Sequence, residues 1–202
     1  MEKTNYLVIS ANCIAGFWYE DVVKTKYEHP FIWSIVKLSD LIYLIKNFDT
    51  INFNNVTAKI SDGEVVRRDG DKWVKVVVDG KINAYFVHYK ENKDLEEDAP
   101  KISGTSVVAK NILKYAEETW KRRSLRIPYD KKRVWVFWDD RINTDVDLSE
   151  FLSLAKEREN EIFVLFTIKE GIEPLSDNAF ILPITNYYNV PKHARDLEKI
   201  LI

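Results

Sequence analysis

Short apolar runs alternate along this chain with stretches in which apolar positions recur every three or four residues, and that alternation predicts strands and helices in turn. Tyr6-Leu7-Val8-Ile9 is a β-rich run ending at Ser10-Ala11-Asn12, which predicts a buried strand leading into a loop and a helix from about Cys13. Within 14–23, Ile14, Phe17, Trp18 and Val22 fall at helical spacing, giving one face to pack on a sheet. Pro30 closes the following connection, because a proline biases the residue before it away from helix. A second helix is predicted from Ser39, read as its cap, with Leu41, Leu44, Ile45 and Phe48 inward.

Over 56–89 the texture changes to alternating β-formers broken by Asp62-Gly63, Asp69-Gly70 and Asp79-Gly80. Asp-Gly supplies the positive φ angles of tight hairpins, so this stretch predicts an antiparallel meander whose last strand is 82–89. After a charged surface stretch at 90–100, helical spacing returns over 103–126, with Val108, Ile112, Leu113, Ala116 and Trp120 inward and a basic end. Pro128 stops that helix. Val134-Trp135-Val136-Phe137-Trp138 then predicts a strand buried on both faces. A helix at 147–158, strands at 162–168 and 179–182, and a final helix opening on Pro191 with Leu197, Ile200 and Leu201 inward complete the order. The fold class expected is therefore α/β: one domain over 1–202, with a mainly parallel sheet flanked by helices and the antiparallel hairpin meander inserted or appended.

Composition narrows the function classes. With 30 basic and 32 acidic residues the net charge is −2, so no whole-protein field points to nucleic acid or to an anionic membrane, and nucleic acid is not an expected partner. No apolar run approaches the roughly 20 residues of a membrane-spanning helix. The opening MEKTNYLVIS is too short and polar-flanked for a signal sequence, and the single cysteine, Cys13, has no intramolecular partner; a cytoplasmic setting is expected. The sequence has six glycines and lacks a dinucleotide fingerprint, a Walker loop, a nucleophile elbow and a His/Cys metal cluster, which disfavours the enzyme classes built on them. No cofactor and no oligomeric state can be named from it.

Three places can carry chemistry. Cys13 stands where a strand gives way to a helix, a position that favours a thiolate. His88, near the end of a predicted strand, is a candidate general base for it, and Asp139 or Asp140, after the 134–138 strand, can orient that imidazole. A lone cysteine is also commonly a small core residue, and a strand histidine a hydrogen-bonded structural one. Second, Asp139-Asp140 follow a strand at the edge where open α/β sheets bind ligands, and paired carboxylates there suit a divalent ion on a diphosphate; the same residues also serve simply as turn formers. Third, Lys121-Arg122-Arg123 and Arg126 give a basic helix end with Arg122 and Arg126 at i, i+4 spacing, able either to grip an anion or to complement the helix dipole.

Several short motifs occur in the order found in a poorly characterised bacterial family labelled exopolysaccharide biosynthesis protein. They are Ser10-Ala11-Asn12-Cys13, Tyr27 and Pro30, Asp40-Leu41-Ile42 with Asn47-Phe48, His88-Tyr89, the run Trp120-x-x-Arg123-x-x-Arg126-Ile127, and Phe166-Thr167. The chain resembles that family over most of its length. The resemblance implies a role in making or modifying surface polysaccharide on a small-molecule or glycan substrate such as a nucleotide sugar, with Ser10, Asn12, Trp120, Arg123 and Arg126 near the substrate and no metal assigned. Cys13, Pro30-Phe31-Ile32-Trp33 and His88 are similar, in order, to an uncharacterised family of papain-like cysteine peptidases, which implies a Cys-His thiol hydrolase or acyltransferase with Cys13, His88 and Asp139 catalytic. The sequence departs from the first family at Ile14-Ala15, where that family favours tryptophan and glycine. A third expectation is non-enzymatic: a binding partner of a glycan assembly system, presenting Phe31, Trp33 and Trp73.

Overall fold

The computed structural model describes residues 5–25, 29–32, 34–60, 74–86, 107–139, 148–184 and 189–201, with the backbone alone for Phe86 and for 107–112. The chain divides into two compact units, Met1–Tyr27 with Pro128–Ile202, and Glu28–Ile127.

The first unit is built on a parallel sheet in the order β1-β6-β7-β8, formed by β1 (Tyr6–Ser10), β6 (Lys132–Asp139), β7 (Ile162–Thr167) and β8 (Ala179–Pro183). Every residue of β1 and β7, and β6 from Val134 onward, is buried, as continuous apolar runs require when a sheet is covered on both faces. The period of two sorts the covering. Phe137 and Phe163 meet Phe151 of α4 (Ser149–Glu157) on one face, with ring centroids 6.0 and 5.5 Å away. Trp138 and Phe166 meet His193 of α5 (Val190–Leu201) on the other, at 4.9 and 5.4 Å. Also packed on α5 are the short α1 (Ile14–Phe17) and the π-helical turn Trp18–Val23 that continues it.

The second unit is an antiparallel sheet in the order β2-β5-β4-β3, made of β2 (Ser34–Val36), β3 (Val56–Ile60), β4 (Val74–Val78) and β5 (Ile82–Phe86). Helix α2 (Leu38–Asn47) packs on β5, and α3 (Val107–Ser124) on β3 and β4. Its core gathers Phe31, Phe48, Phe53 and Trp120, all essentially without solvent contact. The Asp79-Gly80 hairpin forms as its sequence predicts: both residues have positive φ, 51° and 68°, and Lys81 N–H closes the turn on Val78 O at 3.0 Å. The turns expected at Asp62-Gly63 and Asp69-Gly70 lie outside the described residues, as do 87–89 of the last predicted strand.

The mixed α/β class, with a four-stranded parallel sheet and an antiparallel meander, is as the sequence predicts. Several local expectations are corrected. Ser39 is not a cap: α2 begins a residue earlier, with extended Lys37 at its N-cap and no side-chain cap bond. The short β2 was not foreseen, because three residues after a proline-containing turn are too few to show a period. Pro191 is the second residue of α5, and the cap is Asn189, whose Oδ1 accepts from Lys192 N–H at 3.2 Å. Phe31, expected on an aromatic surface, is fully buried against Trp120, while Trp33 and Trp73 lie outside the described residues. Among the described residues no helix is long and apolar enough to cross a membrane.

Candidate site at the carboxyl edge of the parallel sheet

Three strands of the parallel sheet end in a polar residue, and all three are buried: Ser10 on β1, Asp139 on β6 and Thr167 on β7 are 0%, 1% and 2% exposed. They mark the carboxyl edge, where open α/β sheets place ligands. The register pairs Ser10 with Val136 and Thr167 with Asp139, so β6 runs three residues past the end of its pairing with β1.

At the end of β1 the chain turns under side-chain control. Ser10 Oγ donates to Asn12 O and accepts from Ala15 N–H at 3.0 Å, while Asn12 Oδ1 accepts from Ile14 N–H at 3.0 Å. The free amides at the start of α1 are thus met by Ser10 and Asn12, which gives both residues a structural task. Cys13 is half-buried and has no disulfide partner. It is the N-cap of α1, which runs on into the π-helical turn Trp18–Val23.

At the end of β6, Asp139 Oδ2 accepts from the Thr167 hydroxyl at 2.9 Å and faces the Lys169 ammonium at 3.3 Å. Thr167 Oγ1 also accepts from Lys169 N–H at 3.0 Å, which folds the chain after β7 back over the carboxylate. The second carboxylate oxygen, Oδ1, is buried without a hydrogen-bond partner. The Lys169 side chain is 35% exposed. An ammonium in contact with Asp139 disfavours a divalent cation at this carboxylate, since it supplies the positive charge that the ion would bring. Among the described residues no three His, Cys, Asp or Glu side chains gather as metal ligands.

The other sequence-predicted residues are elsewhere. His88 and Asp140 lie outside the described residues. Trp120 is in the core of the second unit, its indole N–H donating to Phe53 O at 3.1 Å and its ring edge-on to Phe31 at 5.1 Å. Arg123, also in that unit, is 7% exposed, and Arg126 is exposed beyond the end of the helix. The expected Arg122/Arg126 helical face does not form, because α3 stops at Ser124, whose hydroxyl is 3.0 Å from Phe53 O. Cys13 and Asp139 therefore belong to the first unit, and His88, Trp120, Arg123 and Arg126 to the second.

Sequence reasoning did not find Lys169 or His193. Lys169 had a signal, since it stands two residues past an apolar run that ends in a polar residue, as Asn12 does. His193 is fully buried at the start of a helix; its Nδ1 lies 2.8 Å from Asn189 O, which can only accept, so the proton is assigned there, and Nε2 has no partner.

The architecture defines a mixed α/β protein whose parallel sheet carries a buried carboxylate at its carboxyl edge. The chain belongs to the family described as Domain of unknown function (DUF1919), whose profile matches residues 1–102. Cys13 and His88 fall inside that match, and Asp139 and Lys169 beyond it. No curated protein matches the chain.

Proposed function

We propose that the protein is an enzyme of bacterial surface-polysaccharide biosynthesis, a transferase acting on an activated sugar or its acyl group, with its substrate site at the carboxyl edge of the parallel sheet. The observation that carries this reading is Asp139, a buried carboxylate at the end of a central strand, fixed by Thr167 and Lys169 and keeping one oxygen unbonded. Buried polar groups are normally satisfied, and those left over gather at sites that do chemistry. The ordered motifs that resemble those of proteins labelled for exopolysaccharide biosynthesis support the substrate class. The test is thermal denaturation with a panel of nucleotide sugars. At least one is expected to raise the melting temperature, and Lys169→Ala to abolish the rise. If none does so for the unmodified protein, transfer from a nucleotide sugar is ruled out.

A second reading has its own observation: Cys13, half-buried, closes the short loop after β1 and stands at the N-cap of α1. In it the Cys13 thiolate attacks an acyl carbonyl, forming a thioester as the leaving group departs, with Asp139 in the same unit. Acyl transfer onto a glycan satisfies both readings. Cys13 is the only thiol, so iodoacetamide alkylation of the folded protein reports on it alone. A reactive thiolate well below pH 8.5 supports this chemistry, whereas reaction only on unfolding makes Cys13 a core residue.

A further inference from the structure

We infer that Asp139 and Lys169 form a recognition site for two neighbouring hydroxyls of a neutral sugar ring, a step that rests on reading the carboxyl edge as the ligand site. The unbonded oxygen sets the requirement. Asp139 Oδ2 is already engaged by the Thr167 hydroxyl and the Lys169 ammonium, while Oδ1 is buried and accepts nothing. A carboxylate oxygen in that position calls for a donor. An ammonium carries three donors, and the contact with Asp139 uses one of them, so Lys169, 35% exposed, has others to offer.

Charge decides between ligand types. Asp139 and Lys169 together carry no net charge, so a phosphate gains little from meeting them as a pair. What they present is an acceptor beside donors. Two adjacent ring hydroxyls are the complement: one O–H donates to Asp139 Oδ1, and the oxygen of its neighbour accepts from Lys169.

Access follows from the same contacts. Asp139 is 1% exposed and Lys169 much more so, which makes the lysine side chain the freer member of the pair, and binding requires the buried carboxylate to open to the ligand. Thr167 keeps the rest in place meanwhile, because its hydroxyl holds Oδ2 and accepts the Lys169 backbone N–H, neither of which depends on where the ammonium points.

The experiment is ligand-observed NMR on the full chain with the methyl glycosides of glucose, galactose and mannose, using inorganic pyrophosphate as the anionic competitor. At least one glycoside is expected to bind, Lys169→Met and Asp139→Asn each to weaken it by about tenfold or more, and pyrophosphate not to displace it. Lys169→Met removes a partly exposed side chain and so is read in folded protein even where the change at buried Asp139 costs stability. No binding by any glycoside, binding that survives Lys169→Met, or displacement by pyrophosphate overturns the inference. Binding of a methyl glycoside without stabilisation by any nucleotide sugar leaves this site standing and removes only transfer from a nucleotide donor. Stabilisation by nucleotide sugars with no glycoside bound does the reverse.

Discussion

Asp40 shows how an environment works against the charge it holds. Standing in the first turn of α2 and 8% exposed, it accepts from Asn83 N–H and from the Asn83 side-chain amide, both at 3.2 Å. Burial nevertheless pushes its carboxyl above the usual 3.8, outweighing the bonds from Asn83 and the attraction of Lys37 and Lys75. The folded chain therefore holds this proton to higher pH than the unfolded chain does. Between the two values the folded state binds more protons, so this group's contribution to stability is favourable below pH 3.8 and is lost as pH rises through the folded value. Asp40→Asn, which keeps an acceptor for Asn83, is expected to stabilise the protein at neutral pH and to approach the parent near pH 3.8. Urea midpoints across the acid range measure this. The polar residues ending β1 and β6 were legible in the sequence, since each closes an apolar run, whereas Thr167 was hidden inside the strand expected over 162–168. The ion pair between Asp139 and Lys169 was not legible, because Asp139 ends β6 while Lys169 lies in the loop after β7, and only the register of the two strands brings them together.

At the scale of elements, one outer edge of each sheet is met by a side chain from a helical segment. The free edge of β1 is covered by Tyr19, whose hydroxyl is 3.2 Å from Val8 N and 3.4 Å from Tyr6 O; β3 is covered by Glu117 of α3, which accepts from Ala58 N–H at 2.8 Å. Unpaired strand edges invite pairing with other chains, and these contacts occupy them. Tyr19 was not on the predicted apolar stripe. A helical period of 3.6 leaves it sideways, and the wider π-helical turn brings it inward to 1% exposure. The hairpin, by contrast, was readable from two residues, because only certain residues tolerate its backbone. Gly80 has φ +68° and open space where a Cβ would stand, so Gly80→Ala tests conformation apart from packing. It is expected to cost about 1 kcal/mol by chemical denaturation, with the same m value as the parent.

For the molecule as a whole, alternation of apolar runs and helical stretches was enough to give the fold class, because each buried strand and each amphipathic helix leaves its own period in the sequence. The distribution of the candidate residues left no such trace. Proximity in space is decided by which strands are neighbours, and β1 lies beside β6 although the entire second unit separates them in the chain. That order matters while the protein is being made. On the ribosome β1 emerges well before its neighbour β6, and the hundred residues of Glu28–Ile127, with a core of their own, appear in between. The opening segment must wait, its apolar strand exposed, and the edge carrying Cys13 is completed only when the last third of the chain arrives.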